Sequence, residues 1–237
     1  PLILMIDGKK TIVQPNKTGF ITYLDAESGR FLKAVPFSDR ITWASGFTED
    51  GKPIWTQQIP KEGEDPVEVW PSLLGGVNMY PTAFNPGTGM LYLAARELGM
   101  LWSFEKVQVQ SNVQLIGATF ELPPGGYELD KAVNARTGKE VWRHQKSKDG
   151  FSGGMLTTAG NLTVYGDAGG IVTVVHAMTG EILWTFHAGV TFKAAPITYM
   201  VDGKQYITIA GGGLPTFGSA PDDHALEHGS IMLTFVK

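Results

Sequence analysis

Apolar and polar positions alternate along this chain in short runs, each closed by Gly, Pro, Asn or Asp. Thr11-Ile12-Val13, Gly19-Phe20-Ile21-Thr22-Tyr23-Leu24 and Ile171-Val172-Thr173-Val174-Val175 are examples. β-Branched and aromatic residues at that period fit the pleat of a half-buried sheet, so these runs predict strands. Leu2-Ile3-Leu4-Met5-Ile6 predicts a strand already under way at the first residues, and with it an expected upstream part or processing. Few ten-residue segments carry apolar residues at i, i+3 and i+4 without Gly or Pro, and no capping box opens one, so helices are not expected.

The strands belong to a repeat. A polar residue, a short turn and a Thr-Gly or Ser-Gly pair lead into a strand that often ends in an aromatic. The copies are Asp25-Ala26-Glu27-Ser28-Gly29, Asn85-Pro86-Gly87-Thr88-Gly89, Asn134-Ala135-Arg136-Thr137-Gly138 and His176-Ala177-Met178-Thr179-Gly180. Asp or Asn starts such a turn by bonding its own backbone, and Gly supplies a positive φ. Glycine to glycine the copies recur at 60, 49 and 42 residues, and periods near 40 to 50 residues with about four short strands each are what propeller blades show. The expected fold is therefore all-β, a propeller of four-stranded antiparallel blades, with about four blade equivalents and a last strand at Gly229–Phe235. Residues 1–237 read as one partial propeller domain without a second. The stretches Ser45 to Gly76 and Gly99 to Gly126, rich in Pro, Gly and charge, are expected to be long connecting loops. An arc that does not close leaves sheet faces and edges open and calls for a partner half.

Composition narrows the chemistry. The 237 residues contain no cysteine, which excludes disulfides, thiolate metal sites, a cysteine nucleophile and a c-type haem attachment within them. A net charge of -4, with no basic run longer than Lys9-Lys10, gives no footprint for nucleic acid or an anionic membrane surface. No stretch is apolar enough for a membrane span. No Gly-x-Ser-x-Gly elbow suggests a serine hydrolase. His224 and His228 have a spacing that suits a metal on one helix face, but the segment reads as a loop without a third ligand. Trp142 and Trp184, at repeat ends, read as residues that dock one blade on the next.

Ordered motifs carry a resemblance. Pro15-Asn16-Lys17-Thr18-Gly19-Phe20, Asn78-Met79-Tyr80-Pro81-Thr82-Ala83-Phe84-Asn85-Pro86, Gly153-Gly154-Met155-Leu156-Thr157-Thr158-Ala159-Gly160, Tyr165-Gly166-Asp167, Asp202-Gly203-Lys204-Gln205-Tyr206 and Gly211-Gly212-Gly213 follow one another in family order. With them the chain resembles the carboxy-terminal half of the pyrroloquinoline quinone (PQQ)-dependent alcohol and sugar dehydrogenases, eight-bladed propellers more than twice as long. The resemblance implies oxidation of an alcohol or sugar hydroxyl in the periplasm, by hydride transfer to PQQ, with electrons passed to an external cytochrome or to ubiquinone. It implies a calcium or lanthanide ion held mainly by the amino-terminal half, which in the family also carries the catalytic aspartate. No catalytic residue or metal ligand is assigned to this chain.

The implied contribution of these residues is a clamp on the cofactor. Lys17 falls on the family's cation that hydrogen-bonds the quinone oxygens, and Asn78 on an asparagine that also contacts the quinone. By composition alone Lys17 is a solvated turn lysine, and Asn78 closes the Gly75-Gly76 turn. Ser152 stands where the family usually has Trp, before Gly153, and both are expected to line the pocket. Leu214 and Phe217 stand where methanol-oxidising members place a tryptophan. The alternative is a non-enzymatic propeller of the outer-membrane-assembly type.

Overall fold

The computed structural model describes residues 1–56, 60–106, 118–146, 153–212 and 229–236. Its residues group into two compact units, Pro1–Asn78 with Arg96–Gly126, and Met79–Ala95 with Tyr127–Lys237. The described residues contain strands, turns and no helix, as the alternation predicts.

The first sheet is β1 (Leu2–Ile6), β2 (Lys9–Pro15), β3 (Phe20–Asp25) and β4 (Phe31–Pro36), paired antiparallel in chain order. A two-stranded ribbon follows, β5 (Ala44–Phe47) with β6 (Pro53–Trp55). The next strands are β7 (Val67–Val69), β8 (Ala83–Asn85), β9 (Met90–Glu97), β10 (Met100–Phe104) and β11 (Ala118–Glu121). Of these, β7, β10 and β11 form a three-stranded sheet in the order β11-β10-β7. β8 and β9 join β12 (Tyr127–Asn134) and β13 (Glu140–Gln145) in a four-stranded sheet, β13-β12-β9-β8. The last four-stranded sheet is β14 (Met155–Thr157), β15 (Leu162–Gly166), β16 (Ile171–His176) and β17 (Ile182–His187), again in chain order. The chain ends with a three-stranded sheet of β18 (Ile197–Val201), β19 (Lys204–Gly212) and β20 (Ser230–Val236).

The turn chemistry is as expected. Asp25 Oδ1 accepts from the Ser28 backbone N–H at 2.8 Å, and Asn134 Oδ1 from that of Thr137 at 3.0 Å. Gly29, Gly138 and Gly180 close these turns at φ 72, 73 and 76°. The copies are not all equivalent, however. Those at Asp25, Asn134 and His176 join the third and fourth strands of a sheet, whereas the one at Asn85 joins the first and second. In the three equivalent copies the register slips by a bulge at the same point, at Tyr23/Leu24, Ala132/Val133 and Val174/Val175. The stretches expected as loops differ as well. Val67-Glu68-Val69 and Met100-Leu101-Trp102 pair with each other as antiparallel strands, which leaves Val69 buried and the Met-Leu-Trp run partly covered.

In the second unit the core lies between sheets. Met90, Tyr92, Ala132 and Trp142 of one sheet pack with Met155, Tyr165 and Val175 of the next and with Ala177. Val164, Val172, Phe192 and Ile209 form the following layer.

Candidate functional site

The residues singled out in the first unit lie where the β2–β3 turn meets a second backbone segment. Asn16 shapes the turn. Its Oδ1 accepts from the Thr18 backbone N–H at 2.9 Å and from the Thr18 hydroxyl. Gly19 closes it at φ 86°, with Ile41 and Pro71 so near that an added Cβ would lie 3.0 and 3.1 Å from them. The Trp43 indole N–H donates to the Thr18 carbonyl at 2.9 Å. On the other side Val77 N–H donates to the Asn16 carbonyl at 3.2 Å. Gly76 approaches closer still: a Cβ there would lie 2.6 Å from the Asn16 oxygen and 2.9 Å from the Lys17 carbonyl carbon. Gly76 is itself fixed by two 2.9 Å backbone bonds with Arg96.

The turn is therefore held rigidly, with the Lys17 side chain exposed and outside any ion pair among the described residues, and with half-buried Asn78 two positions beyond Gly76. The backbone at Asn16 and Lys17 and that at Gly76 and Val77, just before Asn78, are distant in sequence and lie against each other. Gly76→Ala has both a positive φ of 64° and backbone atoms in its way. It is expected to cost about 1–3 kcal/mol in urea denaturation. Wild-type stability would show that the Asn16–Lys17 backbone is not pinned.

Sequence reasoning missed the support behind this turn. Arg40 lies 4.7 Å from the centre of the Trp70 ring, and its Nη1 is 2.9 Å from Glu68 Oε1, which also accepts from the Trp70 indole at 2.6 Å. The Trp70 bond, then Arg40, holds the Glu68 carboxyl below its ordinary range. Trp70 covers Gly99, where an added Cβ would lie 2.4 Å from the indole. The Gly at position 99 was the one visible signal of that contact.

In the second unit Gly153 is where the chain needs no side chain. Its N–H donates to the Gly166 carbonyl at 3.1 Å, and a Cβ would lie 2.6 Å from the Ala194 carbonyl oxygen. Close packing thus accounts for this glycine. Ser152, Leu214, Phe217, His224 and His228 lie outside the described residues.

Near Gly166 the same unit contains a buried polar group that the alternation did not reveal. Asp130 is 1% exposed. Its Oδ2 is 2.9 Å from Lys146 Nζ, while Oδ1 has no hydrogen-bond partner. Tyr165 OH is 3.1 Å from His144 Nδ1. Burial pushes the Asp130 carboxyl up to about 6 against the pull of Lys146, with Glu128 and Asp167 adding to the rise. Burial likewise raises the Tyr165 phenol and lowers the His144 imidazole.

The folded protein thus keeps a proton on Asp130 between the ordinary 3.8 and about 6 that the unfolded chain has released. That contribution is fully present below the lower value and is lost as pH rises through the upper one. Asp130→Asn, with no proton to release, is expected to lack this part of the pH slope, at most about 1.4 kcal/mol per pH unit. Urea denaturation of both proteins across the window measures it, and equal slopes would contradict it.

Comparison with known proteins adds the relationship. A family model described as the outer membrane protein assembly factor BamB matches residues 128–217. The quinoprotein alcohol dehydrogenase PedH of Pseudomonas putida is 34% identical over 97% of this chain and 41% of its own length. The structure of the quinohemoprotein alcohol dehydrogenase from Comamonas testosteroni matches with a TM-score of 0.80 at 32% identity, over 90% of this chain and 34% of that one. A europium-containing methanol dehydrogenase matches with a TM-score of 0.81 at 26% identity, over 89% of this chain and 38% of that one. The chain spans about two fifths of the length of the first of these relatives. Its four-stranded antiparallel sheets are the blades of a β-propeller, as the repeat predicted.

Proposed function

Starting from a chain that is a relative of the PQQ-dependent alcohol dehydrogenases along nearly its whole length, we propose that residues 1–237 are one partial propeller domain, the carboxy-terminal half of such an enzyme. It oxidises an alcohol or sugar hydroxyl in the periplasm together with the amino-terminal half and hands electrons to an external cytochrome or to ubiquinone. The observation that carries this reading is the turn of Lys17, held by the Trp43 indole on Thr18 and by the Val77 N–H on Asn16, one position before Asn78.

PQQ, when bound, supplies the acceptor for the hydride that leaves the alcohol carbon. Lys17, on a turn fixed by backbone contacts, would supply a cation to the quinone oxygens. Asn78 would orient the same group by its amide, and Ser152 and Gly153 are the further residues that the family resemblance assigns to the cofactor. The base that takes the hydroxyl proton belongs to the amino-terminal half. So do the ligands of a calcium or lanthanide ion; among the described residues no three His, Asp or Glu side chains stand together to hold one. Among those residues no helix is long and apolar enough to cross a membrane.

The family model over residues 128–217 favours a second reading, a non-enzymatic propeller of the assembly-factor type. Lys17 and Asn78 lie outside that match. The two readings separate in one assay of the full-length protein. Supplied with PQQ and calcium or a lanthanide, it is expected to reduce an artificial electron acceptor only when an alcohol or sugar is added. A folded protein that shows no substrate-dependent reduction with either metal supports the scaffold.

A further inference from the structure

β13 alternates, with Val141, Arg143 and Gln145 exposed and Trp142 and His144 covered by the next sheet. Trp142 stands opposite Ala132 and His144 opposite Asp130 across the strand pair, so these four side chains share one face. Trp142 closes the apolar part of that face. Its indole N–H donates to the Ala177 carbonyl at 2.8 Å, and its ring fills the space over Gly180. His144 continues the joint one step along the strand. Its ring lies 5.3 Å from that of Trp142, and its Nδ1 is 3.1 Å from the Tyr165 hydroxyl of β15.

The partners fix the direction of that last bond. Tyr165 is 4% exposed, and its hydroxyl has no other hydrogen-bond partner among the described residues. The O–H is therefore the donor, and Nδ1 accepts, which it can do only in a neutral ring with its proton on Nε2. A proton added at Nδ1 turns the nitrogen into a donor and leaves the buried O–H without its acceptor, which costs more than the bond itself contributes.

The surrounding charges do not favour the added proton. Asp130, directly opposite on β12, is paired with Lys146 at 2.9 Å, and the Lys146 ammonium lies 5.6 Å from the centre of the Tyr165 ring. Glu128 and Asp167 act on Asp130. In the turn after β16, His176 Nδ1 is 3.2 Å from the Thr179 hydroxyl, and Glu181 is exposed. Burial holds the His144 imidazole below its ordinary 6.5, against a weaker pull from the Gly180 backbone. Its contribution to stability is thus present above 6.5 and lost as pH falls through the lower folded value, the opposite sign to that of Asp130.

We propose that His144 is an acid-sensitive latch between the sheet of β8, β9, β12 and β13 and the sheet of β14 to β17: the neutral ring closes the joint by accepting from Tyr165, and protonation breaks that bond and loosens β13 from its neighbour. The inference does not depend on the cofactor reading.

Hydrogen exchange on the full-length protein tests it, at pH 7 and at a pH below the His144 midpoint, which NMR of labelled histidine locates. After correction for intrinsic rates, amides of β13 and of β15 around Tyr165 are expected to lose about tenfold in protection on the acid side, roughly one buried hydrogen bond. Those of β2 and β3 should keep theirs, since the first unit contains no histidine. His144→Gln, whose amide oxygen can accept from Tyr165 but cannot titrate, should remove the pH dependence. Should that variant fold poorly, the wild type decides, through loss of protection at the same midpoint as the ring titration. Equal protection in both charge states would overturn the proposal, as it would if the freed O–H turned to Asp130 Oδ1. So would a ring that stays neutral down to about pH 4, or an acid loss that persists in folded His144→Gln.

Discussion

Lys17→Ala in the full-length protein is expected to lower kcat by about 10²- to 10³-fold, the usual effect of removing one preorganised donor from a site of developing charge. The turn that carries Lys17 is fixed by backbone contacts, from Trp43 to Thr18 and from Val77 to Asn16, and none of these involves the lysine side chain. The variant should therefore fold and melt as the wild type does. Lys17→Arg, which keeps the cation, should recover part of the rate. Steady-state kinetics of the three proteins decide the point. Unchanged kcat in Lys17→Ala would return this residue to the solvated turn lysine that composition suggests.

The largest stability effect is expected at Trp142. Its ring packs on Tyr92 at 6.0 Å and its N–H has a buried carbonyl partner, so Trp142→Ala removes an aromatic from the layer between two sheets and orphans the Ala177 oxygen. The expected loss is about 3–5 kcal/mol. Trp142→Phe retains most of the area and loses mainly the hydrogen bond, for about 1–2 kcal/mol. Chemical denaturation of both variants separates packing from hydrogen bonding. A loss in Trp142→Ala below that of Trp142→Phe would show that the ring does not join the two sheets.

Much of this architecture is legible in the residues because turn chemistry is local. Asp25 and Asn134 each bond their own backbone, and the glycines that follow take the positive φ that only Gly adopts freely. The place of a turn within a sheet is not local. Asn85-Pro86-Gly87-Thr88-Gly89 has the same chemistry but joins first to second strand, because which strands it connects depends on pairings far along the chain. The sheet of β7, β10 and β11 was hidden for the same reason: short strands among Pro, Gly and charge pair only across a long sequence separation.

The candidate site divides in the same way. Lys17 and Asn78 could be singled out only through the family resemblance, since a lone lysine in a turn carries no chemistry of its own. That Gly76 and Trp43 pin the Lys17 turn is a long-range packing fact. Asp130 and Lys146 are not singled out by any motif in the sequence, and only the fold buries them as a pair. Gly153, expected as a pocket residue, is explained first by the backbone packed against it.

The most direct measurement is an equilibrium titration of the full-length protein with PQQ, in the presence of calcium or a lanthanide, followed by absorption and calorimetry, with Lys17→Ala and Asn78→Ala in parallel. The account predicts one quinone bound per propeller and affinity weakened by at least about tenfold in each variant, roughly one lost hydrogen bond to a charged group. No uptake by the folded wild type, or uptake that neither substitution weakens, would contradict it.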